Sequence, residues 1–256
     1  MDEASFRQLF DLSGRTAVVT GGTRGIGLAL AEGFACAGAR VVVASRKPEA
    51  CAQAAARLRE LGADAIGVPT HLGELDALHT LVETAERTFG GIDIVVNNAA
   101  NALAQPLATM QPDAVQKSFG VNVYGPLFLV QAALPQLRAS EHAAVLNLGS
   151  VAALQFAPGL SMYAAAKAAL LSFTRSMAAE YAADGIRVNA IVPGAVDTDM
   201  VRKNPPEFIE AMAKVPLLRR IARPDELVGA ALLLCSDAGS FITGQSLLVD
   251  GGTVAR

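Results

Sequence analysis

The sequence predicts an α/β fold: one doubly wound parallel sheet, flanked by helices on both faces. Two observations carry this. Short β-branched apolar runs alternate with longer alanine- and leucine-rich runs of helical period. The short runs are apolar on both faces, as buried parallel strands must be. No linker, repeat or low-complexity stretch divides the 256 residues, so 1–256 reads as a single domain with residues 1–11 as an N-terminal extension.

The elements follow in order. "TAVVT" at 16–20 reads as the first strand and leads into a helix from about Gly25. "RVVVAS" at 40–45 is the second strand, followed by a helix that stops at Gly62. "DAIGV" at 64–68 is the third, followed by the helix "ELDALHTLVETAERTF". "IDIVVNN" at 92–98 is the fourth, and one long helical region runs from about Pro112 to Leu137. Strands at 143–149 and 186–192 bracket the helix that begins "SMYAAAK". A polar stretch after Pro193, the helix "PDELVGAALLLCS" and a strand near "SLLVD" complete the pattern.

Composition excludes several functions. The net charge is -3 and the pI about 5.7, with no basic run or aromatic-basic patch, so no nucleic-acid partner is indicated. Cys36, Cys51 and Cys235 are scattered, which fits a reducing cytoplasm and neither a disulfide framework nor a zinc site. His71, His79 and His142 are isolated, so no metal site is expected. The first residues carry acids and no long apolar core, unlike a signal peptide. The apolar runs are too short and interrupted to span a membrane.

Two stretches carry chemistry. "TGGTRGIG" at 20–27 joins a strand to a helix, where free backbone N–H groups and the helix dipole form an anion site. Gly21, Gly25 and Gly27 would admit a dinucleotide's pyrophosphate, as in a Rossmann-type fold, although the spacing is GxxxGxG and not GxGxxG. An NAD site usually places an acid at the end of the second strand, for the ribose 2′-OH. Here Ser45 and Arg46 stand there, with Arg24 in the glycine loop, so the pattern favours NADP(H) over NAD(H). In the second stretch, Ser150 ends a central strand and Tyr163 and Lys167 share a helix face at i, i+4. An ammonium beside a phenol lowers the phenol's pKa toward a useful range, and Ser150 can bond a substrate oxygen. Asn122 could hold a water that connects Lys167 to solvent.

Together these residues resemble the short-chain dehydrogenase/reductase family. The match comprises Thr20-Gly21-x-x-x-Gly25-x-Gly27, "NNAA" at 97–100, Asn122, Ser150, Tyr163-x-x-x-Lys167, "PGAVDT" at 193–198 and the tail "SFITGQSLLVDGG", spanning about 12–252. The resemblance implies a seven-stranded sheet. It implies Tyr163 as acid/base, Lys167 as its tuner and a ligand of the nicotinamide ribose, Ser150 as oxygen stabiliser and Asn122 as organiser of a proton relay. It places Gly21, Thr23, Arg24, Gly25, Ile26, Gly27, Ser45, Arg46, His71, Leu72, Asn98 and Ala99 around the cofactor, with Pro193, Gly194, Val196 and Thr198 at the nicotinamide end. Two positions depart from the family pattern: Ala100 replaces a glycine, and His71 replaces an acid near the adenine.

The expected activity is therefore an NADP(H)-dependent interconversion of a carbonyl and a secondary alcohol. Residues 199–218 would cover the substrate, with Phe208, Ile209 and Met212 as an apolar lining. A serine hydrolase is excluded, because Ser150 lies outside G-x-S-x-G and no histidine follows His142. A nucleotide-binding regulator without catalysis is the alternative of another class. The remaining alternative is the family's 3-ketoacyl-acyl-carrier-protein reductase, whose acidic carrier docks on two basic residues beside the active-site mouth. The same positions here are Glu141 and Asp184, with Arg138 and Arg187 close in sequence, which points to free or coenzyme A-linked substrates instead. The helix bearing Tyr163 is alanine-rich on nearly every side, and the resemblance puts it and the last strand at subunit interfaces, implying a homotetramer.

Overall fold

The computed structural model describes residues 1–157 and 159–254; Pro158, Ala255 and Arg256, which fall inside the predicted domain, lie outside the described residues. The chain order is α1 (Glu3–Gln8), β1 (Thr16–Thr20), α2 (Gly25–Cys36), β2 (Arg40–Ser45), α3 (Pro48–Glu60), β3 (Ala65–Pro69), α4 (Leu75–Phe89), β4 (Ile94–Asn97), α5 (Pro112–Phe119), α6 (Gly125–Ala139), β5 (Ala144–Leu148), α7 (Ser161–Tyr181), β6 (Arg187–Pro193), α8 (Asp199–Arg202), α9 (Pro206–Lys214), α10 (Val228–Cys235) and β7 (Ser246–Val249). The seven strands form one sheet in the order β3-β2-β1-β4-β5-β6-β7, parallel throughout.

Strand periodicity builds the three layers. Side chains alternate between faces along a strand. Ala17, Val19, Val41, Val43, Ile94 and Val96 therefore enter one apolar core with Leu30 and Phe34 of α2, Leu58 of α3 and Leu234 of α10. Val18, Val42 and Val95 enter the other with Leu81 of α4, Leu129 of α6 and Met177 of α7. The register Val18↔Val42 and Val18↔Val95 keeps like faces aligned across the centre. A one-residue slip would exchange the two faces, so packing against both helix layers sets the pairing.

Sequence and structure differ in three places. The helix expected over 112–137 is interrupted by a π-helical turn at Gly120–Tyr124, which separates α5 from α6. Gly125 explains the tight spot, because an added Cβ there would stand 2.7 Å from the Leu72 carbonyl. The edge strand β7 is half-exposed, not covered on both faces, because no eighth strand lies beyond it among the described residues. Residues 224–227 form a 3-10 turn before α10, where the sequence predicts a single helix.

The sheet order places a switch point. Connections leave β1 toward β2 on one side, while β4 lies on the other, so a crevice opens beyond the carboxyl ends of β1 and β4.

Candidate active site

The glycine loop lies in that crevice, and its shape is a consequence of missing side chains. Gly21 and Gly25 adopt φ of +65° and +54°. An added Cβ on Gly21 would lie 2.8 Å from Asn98 Nδ2, and one on Gly25 would lie 3.1 Å from Thr198 Cγ2. Gly27 packs its bare Cα directly against Gly21 and Asn98. Arg24 precedes α2 in an extended conformation and makes no side-chain cap, so the helix's first N–H groups face the crevice without one. A backbone cradle and an uncapped helix start suit a diphosphate.

Threonine and asparagine side chains hold the loop to β4. The Thr20 hydroxyl donates to the Val96 carbonyl at 3.1 Å and accepts from the N–H groups of Asn98 and Ala99 at 3.0 and 3.2 Å. The Asn98 amide donates to the carbonyls of Thr20 and Gly21. Asn98 therefore shapes the cradle, and its N–H groups are spent on the loop. Beside it, Asn97 donates to Asn147 at 2.9 Å, Asn147 to Thr174, and Thr174 to the Leu170 carbonyl. This wholly buried chain joins β4 and β5 to α7.

The other expected cofactor residues also end strands or follow them. Ser45 closes β2, and Arg46 follows it, exposed. His71 and Leu72 follow β3, with Leu72 buried and the His71 ring accepting a bond from the Gly73 N–H through Nδ1. Pro193 closes β6, and Val196 bridges to Ala222 before Thr198 turns against Gly25. Thr23 and Ile26 lie within the glycine loop and the first turn of α2, and Gly194 packs against Asp250.

The second group of residues meets where β5 ends and α7 begins. Ser150 stands just beyond β5, and its Oγ accepts from the Ala152 N–H at 3.2 Å. Tyr163 lies in the first turn of α7 and is partly buried. Lys167, one turn on, is 2% exposed. Its ammonium lies 5.7 Å from the Tyr163 ring centroid and donates to the Leu148 carbonyl at 2.6 Å.

Burial governs both ionisations. It pushes the Tyr163 phenol up from its usual value, and the neighbouring Ser150 hydroxyl offsets this in part. It pulls the Lys167 ammonium down to about 8. Burial pushes the phenol the opposite way from the lowering expected of a neighbouring ammonium, and the Lys167 ammonium is directed at the Leu148 carbonyl.

The π-helical turn positions Asn122. Its amide donates to the Asn101 carbonyl at 2.7 Å and to Ser118 Oγ at 3.1 Å, and its Oδ1 accepts from the Asn101 N–H. Both amide protons are committed, so a water here would have to bond Oδ1 or backbone. Asn101 and Ser118 were not singled out from sequence. Only contact across 21 residues reveals Asn101, although Ser118 is one helical turn before Asn122.

Glu141 and Asp184 do not border this site. They precede β5 and β6, whose opposite ends carry Ser150 and Pro193. A five-residue strand separates the two edges by about 17 Å. Asp184 pairs with Arg138 at 2.9 Å, while the Arg187 guanidinium is enclosed by the carbonyls of Leu234, Ser236 and Ile242. No helix among the described residues is long and apolar enough to cross a membrane, and no His, Cys, Asp or Glu cluster there could hold a metal.

Known proteins match this arrangement. Residues 21–254 match the family model described as enoyl-(acyl carrier protein) reductase. The chain is 37% identical to dehydrogenase/reductase SDR family member 4 of Pongo abelii, over 96% of this chain and 89% of that protein. A gluconate 5-dehydrogenase from Burkholderia cenocepacia J2315, solved in complex with NADP and tartrate, superposes with a TM-score of 0.93 at 35% identity, covering 98% of this chain and 99% of that one. A 3-oxoacyl (acyl-carrier-protein) reductase from Agrobacterium tumefaciens C58, solved with NADP bound, gives 0.91 at 36% identity over 96% of each. The parallel seven-stranded sheet, the glycine cradle and these matches over nearly the whole chain agree, and the protein belongs to the short-chain dehydrogenase/reductase family of oxidoreductases.

Proposed function

We propose that this oxidoreductase interconverts a carbonyl and a secondary alcohol by hydride transfer, using NADP(H) in preference to NAD(H). The observation that carries the reading is Tyr163 beside the Ser150 hydroxyl, with the buried Lys167 ammonium 5.7 Å from its ring, at the carboxyl edge that also holds the glycine cradle. The dinucleotide supplies or accepts the hydride. The chain's own groups manage the oxygen and the proton. In reduction, Ser150 Oγ bonds the substrate oxygen as negative charge develops, and the Tyr163 hydroxyl delivers its proton there. Burial keeps Tyr163 protonated at neutral pH, which suits a donor. Lys167 supports the phenolate left behind and holds the nicotinamide ribose. Asn122 steadies the turn from which a water could return a proton through Lys167. The test is NADPH consumption against keto-esters, quinones, sugars, ketosteroids and acyl thioesters. Turnover of at least one class is expected; tight NADPH binding with no turnover of any would favour the non-catalytic regulator.

The cofactor preference rests on Arg46 and Arg24 where an acid would otherwise stand. No ion pair among the described residues involves Arg46, so its charge is available to a 2′-phosphate. A hydrogen bond to a charged group is worth roughly 1.5–3 kcal/mol. Arg46→Ala is therefore expected to weaken NADPH by about 10- to 150-fold and leave NADH nearly unchanged in calorimetry. Tighter binding of NADH than NADPH by the unmutated protein would sink the preference.

Free small molecules or coenzyme A thioesters are the substrates we propose, in place of carrier-bound ketoacyl chains. Steering an acidic carrier needs free cations. Arg138 is neutralised by Asp184 and Arg187 is caged by carbonyls, so neither serves. A lower kcat/KM for acetoacetyl-carrier protein than for acetoacetyl-coenzyme A is expected, and the reverse order would restore the carrier reading.

We propose further that residues 199–218 act as a lid and that the protein works as a homotetramer in a reducing cytoplasm. Ala165, Ala168, Ser172, Ser176 and Ala179 leave a small-residue face of α7 exposed, and the exposed Phe241 stands near the half-exposed β7. All three cysteines are free. Light scattering at micromolar concentration should give the mass of four chains; a monomeric mass would count against the assembly.

A further inference from the structure

Arg24 is the one charged side chain of the glycine loop, and it is already engaged. Its Nη1 lies 3.2 Å from Oδ2 of Asp199, the first residue of α8. Directly behind the pair, Thr198 touches Gly25. The loop and the chain after β6 thus close on each other across the diphosphate cradle. Among the described residues, this is the only ion pair tying segment 199–218 to a residue outside 197–218. The nearest other cation in the segment, Arg202, is held by both carboxylate oxygens of Asp197. Asp199 therefore has Arg24 as its partner.

The loop that carries Arg24 also meets the end of β2. The Gly21 N–H donates to the Ala44 carbonyl at 2.7 Å, which sets the loop against the residues that lead into Ser45 and Arg46. In the proposed cofactor reading, the guanidinium that pairs with the α8 carboxylate also receives the 2′-phosphate together with Arg46. It cannot satisfy both with paired bonds, and a phosphate dianion offers more charge and more acceptors than one carboxylate.

We infer that Asp199 competes with the cofactor's 2′-phosphate for Arg24, so that segment 199–218 is latched in the free protein and released when NADP(H), but not NAD(H), binds. Asp199 is then a specificity-determining residue that acts through Arg24 and lowers the affinity for NADPH. The inference rests on the proposed role of Arg24 at the phosphate.

The pair is exposed, and exposed pairs are weak, so removing the competitor should tighten NADPH only about two- to five-fold more than NADH. The experiment titrates NADPH and NADH into wild type, Asp199→Asn, Arg24→Ala and the double variant by fluorescence, and follows amide hydrogen exchange over residues 199–214. Asp199→Asn should tighten NADPH selectively, and the effect should vanish in the Arg24→Ala background. In the absence of any dinucleotide, both single variants should raise exchange in 199–214 to the level wild type reaches with NADP⁺. Equal changes for the two dinucleotides, no change, or a selective change that persists without Arg24 would each overturn the latch, as would unaltered exchange in the single variants. A wild-type preference for NADH would instead overturn the phosphate role, and the exchange of dinucleotide-free Arg24→Ala would still report whether the ion pair restrains the segment.

Discussion

Replacing Tyr163 with phenylalanine is expected to cut turnover of the best carbonyl substrate at least about 100-fold, with cofactor affinity near that of wild type. The variant removes one oxygen and keeps the ring, so the contact with Lys167 and the packing of α7 are retained. What is lost is the hydroxyl beside Ser150 whose proton the proposed mechanism delivers to the carbonyl oxygen. A positioned acid contributes typically 10²–10⁴-fold, so a loss at the lower end already separates it from a packing change. Reduction by this group needs the protonated form, and burial raises its pKa, so at neutral pH donation is not limited by ionisation of the phenol. Single-turnover hydride transfer with NADPH, beside calorimetric binding of NADPH, separates chemistry from affinity. A phenylalanine variant with near-normal turnover would refute the assignment. So would a variant that loses activity only because NADPH no longer binds.

Much of this site is legible because parallel α/β folds put strand ends and functional residues at the same place. A glycine-rich turn after β1, arginine after β2 and serine after β5 all fall at carboxyl ends once the strands are read correctly. The strands read well because Val18, Val42 and Val95 face one helix layer while Val19, Val43 and Val96 face the other, leaving runs with no polar interruption. The break at Gly120–Tyr124 lies inside a stretch of otherwise helical pattern, and the close approach of Gly125 to Leu72 that accompanies it is a tertiary contact. Asp199 was hidden for a similar reason. Nothing in "VDTDM" marks one carboxylate as the partner of an arginine 175 residues away. Spacing on a helix puts Lys167 beside Tyr163, whereas the ammonium's pKa depends on how fully protein surrounds it, which the sequence does not carry.

Lys167→Met is expected to abolish most turnover while leaving the fold about as stable as wild type at pH 7. In the free protein the ammonium is buried, with a carbonyl and no carboxylate beside it. Its pKa falls from 10.5 to about 8, and at 1.36 kcal/mol per unit the charged form costs about 3 kcal/mol at neutral pH. Methionine removes that cost and fills similar space. Against this, the Leu148 carbonyl loses its donor at roughly 1–3 kcal/mol. The two nearly cancel, so the variant should show lost function without lost stability, the trade-off expected of a catalytic group held in an unfavourable setting. The pH dependence tests the cause. Below pH 8 the folded and unfolded chains both carry the proton, and the penalty is constant. Between about 8 and 10.5 the unfolded chain binds the proton more than the folded one, so wild-type stability gains on the variant, by at most about 1.4 kcal/mol per pH unit. In the same range kcat/KM for carbonyl reduction by wild type should fall as Lys167 loses its charge. Denaturant unfolding of both proteins at one fixed concentration, from pH 7 to 10, measures the gap. A gap that does not change with pH would show that Lys167 carries no burial penalty, and its role as a strained, functional ammonium would fall with it.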